Sequence, residues 1–285
     1  MKPAFFRYVR PTSVADALAA LAANDDARVI AGGQSLVPMM AFRLAVPSML
    51  VDIGHLVELR GIEVGDRGVR LGALTRWRDI EADPRLAMAH PLLREAVTHV
   101  AHAQIRNRGT IGGSLAHADP ASELGGVAIA CGATLELTGP HGTRHIPAKE
   151  FFIAPLVTAI APGELITSVE FSPWPAGRKW SFAEFSRRRG DFALAGVALH
   201  YMLDEAGRMT DARAAGIAVA GTPLRLRAAE AAMNGRLPAE AAPVAGRAAC
   251  AECDATDDLH AGADYRRALL GTLVERAILA AACRA

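Results

Sequence analysis

Apolar and polar positions alternate along this chain in two distinct rhythms. Val14 to Leu21 carries apolar residues at helical spacing, opened by Ser13 as an N-cap with Asp16 three residues on. Asn24-Asp25-Asp26 ends it, and Arg28 to Ala31 reads as a buried strand. Leu50 to Ile53 is a second short strand, ended by Gly54. Ile62–Val64 and Val69–Leu71 alternate around Gly65-Asp66-Arg67-Gly68, a hairpin signal, and Thr134–Thr138 with Thr143–Ile146 repeat it around Gly139-Pro140-His141-Gly142. A helix-rich stretch from Arg76 to about Ala103 is interrupted at Pro84 and Pro91, and Thr75 is expected to cap its start. Leu124 to Cys131 predicts an apolar helix. Leu165 to Phe171 predicts a strand with Ile166, Ser168 and Glu170 on one face and Leu165, Thr167, Val169 and Phe171 on the other.

Ser172-Pro-Trp-Pro-Ala-Gly177 has the composition of a linker. Beyond it the pattern predicts strands at about 182–187, 193–203 and 213–220, then helices at about 224–234, 238–253 and 265–283. Strands followed by helices indicate an α+β domain. The division expected is 1–175, in two lobes of about 1–55 and 56–175, followed by 176–285.

Two stretches carry candidate chemistry. Ala31-Gly32-Gly33-Gln34-Ser35-Leu36 follows a strand, and Thr110-Ile111-Gly112-Gly113-Ser114 follows the helix-rich stretch. Each reads either as a plain glycine turn or as a concavity where backbone N–H groups converge on an anion such as phosphate. Two such segments in one domain suggest a long ligand with a diphosphate gripped from both sides. The G-x-G-x-x-G spacing of a dinucleotide fold is absent, and no G-K-[ST] follows either glycine pair. Ser35, Thr110 and Ser114 add hydroxyl donors, and Asp119 and Glu123 add acceptors suited to sugar or ribityl hydroxyls. Arg106 and Arg108 stand near enough in sequence to add positive field, or to lie on the surface. His117 is an isolated imidazole.

With these residues the chain resembles the flavin-binding medium subunit of the molybdenum hydroxylases, the xanthine dehydrogenase and carbon monoxide dehydrogenase family. The resemblance covers nearly the whole length in the expected order. It implies a two-lobed FAD-binding domain of the PCMH type, vanillyl-alcohol-oxidase-like, followed by a smaller α+β domain. It implies FAD held non-covalently by Ala31, Gly32, Gly33, Gln34, Ser35, Leu36, Ala73, Thr75, Thr110, Ile111, Gly112, Gly113, Ser114, Asp119, Glu123, Leu165 and Phe192. It further implies two partners, a small iron–sulfur subunit and a large molybdenum subunit, with electrons reaching FAD and leaving to NAD⁺, oxygen or a quinone. The sequence departs from the family at Phe192, where many relatives have Tyr, and at Ser114, often Asn. Gln34 stands where carbon monoxide dehydrogenases often have His. A stand-alone flavin oxidoreductase and a nucleotide-binding protein without redox function are the alternatives.

Composition narrows the partners. The 285 residues carry a net charge of +1 and 5% aromatic residues. That balance argues against nucleic acid or an anionic membrane as the main partner. The N-terminus lacks a signal-peptide core, and no run is long and apolar enough for a membrane span, so a cytoplasmic location is expected. Of four cysteines only Cys250 and Cys253 are close-spaced. They read as two residues of one helix, since iron–sulfur clusters and zinc sites want four ligands. No metal site and no catalytic residue are expected.

Overall fold

The computed structural model describes residues 2–284. The chain opens with β1 (Arg7–Val9), α1 (Val14–Ala22), β2 (Ala27–Ile30), α2 (Leu36–Ala41) and β3 (Met49–Asp52). The three strands form a parallel sheet in the order β1-β3-β2. Ser13 caps α1 as expected, its hydroxyl accepting the Asp16 N–H at 3.1 Å. The sheet buries Met49, Val51 and Ile53 together with Leu56, Leu59, Leu74 and Leu165 from later in the chain.

The next stretch contains β4 (Ile62–Gly65), β5 (Gly68–Gly72), α3 (Trp77–Ala82), α4 (Leu86–Ala89), α5 (Pro91–His99), α6 (Ala103–Arg106), α7 (Ile111–His117) and α8 (Glu123–Ala130). It continues through β6 (Thr134–Gly139), β7 (Gly142–Pro147), α9 (Ala148–Phe151), β8 (Phe152–Ala154), β9 (Val157–Thr158) and β10 (Leu165–Phe171). Both predicted hairpins form, and β10 closes a five-stranded sheet in the order β4-β5-β10-β6-β7.

Two local expectations fail in this stretch. The register of β10 skips between Ile166 and Ser168, a bulge at Thr167. Ile166 therefore packs into the same core as Val169 and Phe171, while Leu165 joins the core of the first sheet. Simple alternation had set Ile166 with Ser168 and Glu170. Thr75 does not cap α3. Arg76 holds the N-cap position, and the Thr75 hydroxyl donates to Gly61 O at 2.8 Å.

The C-terminal part is an antiparallel meander, β11 (Lys179–Phe185), β12 (Ala195–Leu203), β13 (Met209–Ile217) and β14 (Leu224–Arg225), followed by α10 (Arg227–Met233), α11 (Pro238–Glu252) and α12 (Ala263–Ala282). Residues 224–225, expected to begin a helix, pair with β13 instead. Strand β12 is buried on both faces. Val197, Leu199 and Tyr201 pack with α11 and α12, while Ala198 joins Phe182, Ala215 and Ile217 in the core around α8.

Every residue of α8 is buried. A Cβ on Gly126 would stand 2.4 Å from Ile217 Cγ1, and one on Gly125 would stand 2.6 Å from Pro223 Cγ. The two glycines let the C-terminal sheet close directly onto the helix. In the segment read as a linker, Trp174 packs inward, its ring 4.8 Å from that of His90 and 5.3 Å from that of His200, while the residues on either side of it are exposed.

Candidate functional site

The first glycine pair forms the turn between β2 and α2. Gly33 has φ +73°, a left-handed conformation that side chains resist. A Cβ on Gly32 would lie 2.2 Å from the carbonyl oxygen of Arg108, so the turn packs backbone against the approach to the second segment. Gln34 Nε2 braces the turn by donating to Gly32 O at 3.0 Å. Among the described residues, the backbone N–H groups of Gly32, Gly33, Gln34, Ser35 and Leu36 find no protein acceptor. Consecutive free amides around a left-handed residue form an anion-binding concavity. Ser35 precedes α2, and its hydroxyl makes no cap bond.

The second pair behaves differently and corrects the expectation of a second anion-gripping loop. Gly112 and Gly113 lie in the first turn of α7, where neither has a positive φ. Their amides are spent: Ile111 N–H donates to Thr75 O, Gly112 N–H to Ala73 O, Gly113 N–H to Thr110 Oγ1 and Ser114 N–H to Thr110 O. Gly112 is glycine because a Cβ would meet Ala73 Cβ at 2.6 Å. Gly113 is exposed, with Thr110 Oγ1 at 2.8 Å the one neighbour a Cβ would crowd. Ala73 and Thr75 thus serve α7 through their carbonyls, while their side chains are buried. Ile111 and Leu165 are also core residues.

Between the two segments lies a cavity of about 350 Å³ lined by Ala31, Gly32, Leu74 and Thr110. Its remaining wall is strongly basic, with Arg10, Arg60, Arg76 and Arg108 set against Asp52. Arg10 Nε donates to His55 Nδ1 at 3.1 Å. Of the two arginines singled out from the sequence, only Arg108 is here. Arg106 is tied to Glu81 at 2.9 Å and to the carbonyls of Val100 and Ala101. Arg10, Arg60 and Arg76 were not legible as site residues, because each follows or precedes a different strand or helix and none sits in a motif.

A hydroxyl pair, Ser114 Oγ and Ser122 Oγ at 2.9 Å, ties α7 to the start of α8. Asp119 Oδ1 accepts the Ala121 N–H at 2.9 Å and holds the intervening turn. Glu123, 5% exposed, is the first residue of α8. Burial pushes its carboxyl up to about 8, with the nearby Glu184 adding to the shift. Near neutral pH the group therefore keeps a proton and offers a donor as well as an acceptor, where the sequence suggested an acceptor alone. Glu184 faces His99, with Oε1 3.4 Å from Nδ1, and this contact raises the His99 imidazole. Phe192 lies in the β11–β12 loop, 63% exposed. Gly190 of the same loop, at φ +88°, abuts the His102 ring, 2.4 Å from where a Cβ would stand. His117 ends α7, half-buried.

Cys250 lies in α11 and Cys253 at its end, each thiol hydrogen-bonded to a backbone carbonyl, of Arg267 and Val219 respectively. No helix among the described residues is long and apolar enough to cross a membrane.

Comparison with known proteins gives this geometry a context. A family model described as the FAD binding domain in molybdopterin dehydrogenase matches residues 4–174, and one described as the CO dehydrogenase flavoprotein C-terminal domain matches residues 180–281. The 6-hydroxypseudooxynicotine dehydrogenase complex subunit alpha of Paenarthrobacter nicotinovorans is 42% identical over 287 residues, covering 100% of this chain and 97% of its own. The carbon monoxide dehydrogenase medium chain of Hydrogenophaga pseudoflava is 37% identical over 286 residues, covering 100% and 99%. A solved carbon monoxide dehydrogenase from Hydrogenophaga pseudoflava superposes with a TM-score of 0.95 at 40% identity, covering 99% of this chain and 98% of that one. Quinoline 2-oxidoreductase from Pseudomonas putida 86 gives a TM-score of 0.94 at 36% identity, covering 99% and 98%. The chain belongs to the FAD-binding medium-subunit family of the molybdenum hydroxylases.

Proposed function

We propose that this chain is the FAD-carrying electron-transfer subunit of a cytoplasmic molybdenum hydroxylase. In that complex it receives electrons from the iron–sulfur clusters of a small subunit, while a large molybdenum subunit oxidises the substrate. Relatives named as a nicotine 6-hydroxylase medium subunit and a carbon monoxide dehydrogenase medium chain support this reading.

The observation that carries it is the run of acceptor-free amides from Gly32 to Leu36, opening beside a basic cavity. A dianionic diphosphate is the acceptor such a donor set fits. FAD, when bound, supplies the redox chemistry. Ala31, Gly32, Gly33, Gln34, Ser35 and Leu36 hold its diphosphate, with Arg108 adding charge at the rim. Gly113 gives the ligand clearance over the first turn of α7. Thr110 and Ser114 present hydroxyls there, and Asp119 and Glu123 bind the sugar or ribityl hydroxyls. Phe192 supplies an aromatic face without a phenol. Ala73, Thr75, Ile111, Gly112 and Leu165 set the backbone on which these groups stand.

The test combines this chain with its co-encoded partners. The purified protein should be yellow and release FAD on acid precipitation. Candidate substrates added anaerobically should bleach the flavin only in the assembled complex. Bleaching by this chain alone would establish a stand-alone oxidoreductase, and colourless protein that refuses FAD would remove the redox function.

A further inference from the structure

A second cavity, of about 210 Å³, opens at the C-terminal end of α8, the end opposite Glu123. Its deep wall is formed by His90, His200, Trp174 and Arg178, the two imidazoles being 1% and 4% exposed. Its mouth is formed by Asp211 and Arg213, whose side chains are 45% and 42% exposed, against 11% for Arg178. The walls come from His90 at the start of α5, the end of α8 and residues 172–175 on one side, and from Arg178 just before β11 with β12, β13 and β14 on the other.

The hydrogen bonds fix the protonation of the deep wall. His200 Nε2 faces the Ala130 carbonyl at 3.1 Å and so carries the proton. Its Nδ1 then accepts from Arg178 Nη1 at 2.6 Å. His90 Nδ1 accepts the Leu93 N–H at 3.2 Å, which leaves the ring proton on Nε2. Burial, aided by the Arg178 charge, pushes both imidazoles down to about 3, so both are neutral. The charge is left to the guanidinium groups. Arg178 Nη2 and Arg213 Nη2 share the single carboxylate of Asp211, at 2.7 and 3.2 Å. Arg225, on the same wall, is matched by Glu230 at 2.9 Å. Three cations thus face two carboxylates, and Arg178 Nε is buried without a hydrogen-bond partner among the described residues.

A buried donor without an acceptor is costly, and a surplus cation beside it makes the missing acceptor an anion rather than a neutral group. We infer that this cavity is a binding site for a small oxyanion, a phosphate or a carboxylate, held by Arg178 Nε–H and Arg213 with His90 Nε2–H as a neutral donor. Entry is past the exposed side chains of Asp211 and Arg213. Bound there, the anion would tie α8 and the Trp174 segment to the C-terminal sheet.

The experiment uses the FAD-loaded chain, so that phosphate has no access to the glycine turn. Inorganic phosphate and, separately, acetate are titrated calorimetrically at fixed ionic strength. Saturable single-site binding is expected, at least tenfold weaker in Arg178→Met, and unchanged in Arg247→Gln, a control on the exposed side of α11. Arg213→Gln, at the mouth and tolerant of change, should weaken binding at least threefold, which keeps the test decisive if Arg178→Met does not fold. Saturation by phosphate alone identifies a phosphate-type ligand, and saturation by acetate alone a carboxylate. Absence of saturable binding of either anion, or equal binding by parent and Arg213→Gln, would show that water fills the cavity and would overturn the inference.

Discussion

At Gly32-Gly33 the chain turns through a left-handed residue and leaves a run of amides without acceptors; at Gly112-Gly113 it coils into a helix whose first four amides are all taken. Each pair is followed within two residues by a serine and then a leucine. Their surroundings decide the difference. Arg108 O presses on Gly32, while Ala73 and Thr75 present carbonyls where α7 begins. A glycine pair before a serine therefore has two physical meanings. It supplies donors where the backbone turns, and it supplies closeness and clearance where the backbone coils. Substitutions at each glycine separate these meanings.

The largest effect is expected at the turn. In Gly32→Val the new Cβ would sit 2.2 Å from a backbone oxygen that cannot swing away. A stability loss of about 3 kcal/mol or more is expected, with no FAD retained after gel filtration. A yellow variant melting like the parent would show that the turn and the Arg108 segment are not locked together.

The next contrast is in pH dependence near the second pair. The folded chain holds the Glu123 carboxyl at about 8 against an ordinary value of 4.5, so between those values the folded state keeps a proton that the unfolded state has lost. This contribution is complete below about 4.5 and is lost as pH rises towards 8. Apoprotein of Glu123→Gln should gain on the parent over that window by on the order of a few kcal/mol. Parallel melting curves from pH 5 to 8 would refute the assignment of a buried, protonated carboxyl.

Gly112→Ala overpacks the α7–Ala73 contact and should cost about 1–3 kcal/mol in denaturant unfolding. Gly113→Ala, one residue on, should stay within about 1 kcal/mol of the parent, since better helix propensity offsets crowding at the cap. Its defect should appear as faster FAD release. Equal stability losses for the two variants would erase the distinction between closeness and clearance.

Much of the scaffold was legible because periodicity and turn chemistry are local. The Ser13 cap, the two hairpins and the three C-terminal helices follow from neighbours within a few residues. What escaped depends on distant partners. No local pattern marks the bulge at Thr167, which arises from how β10 fits between β5 and β6. Nothing near Thr75 says that its hydroxyl will reach Gly61. Both glycine pairs were visible as candidates, but their conformations were not, since φ at a glycine is set by what packs against it. Arg10, Arg60 and Arg76 reach one cavity only through the topology of the first two sheets.

Helix α8 has no face left for solvent. Its start is tied to α7 by the Ser114–Ser122 hydroxyl pair and its last residue borders the arginine cavity, while Gly125 and Gly126 are pressed onto Pro223 and Ile217. A helix embedded in this way acts as a ruler. The placement of the C-terminal sheet relative to α7 is written into a tightly packed layer and not into a hinge. Electron transfer slows steeply with distance, so for the carrier proposed above the spacing between redox centres becomes a quantity settled when the chain folds, before any partner arrives.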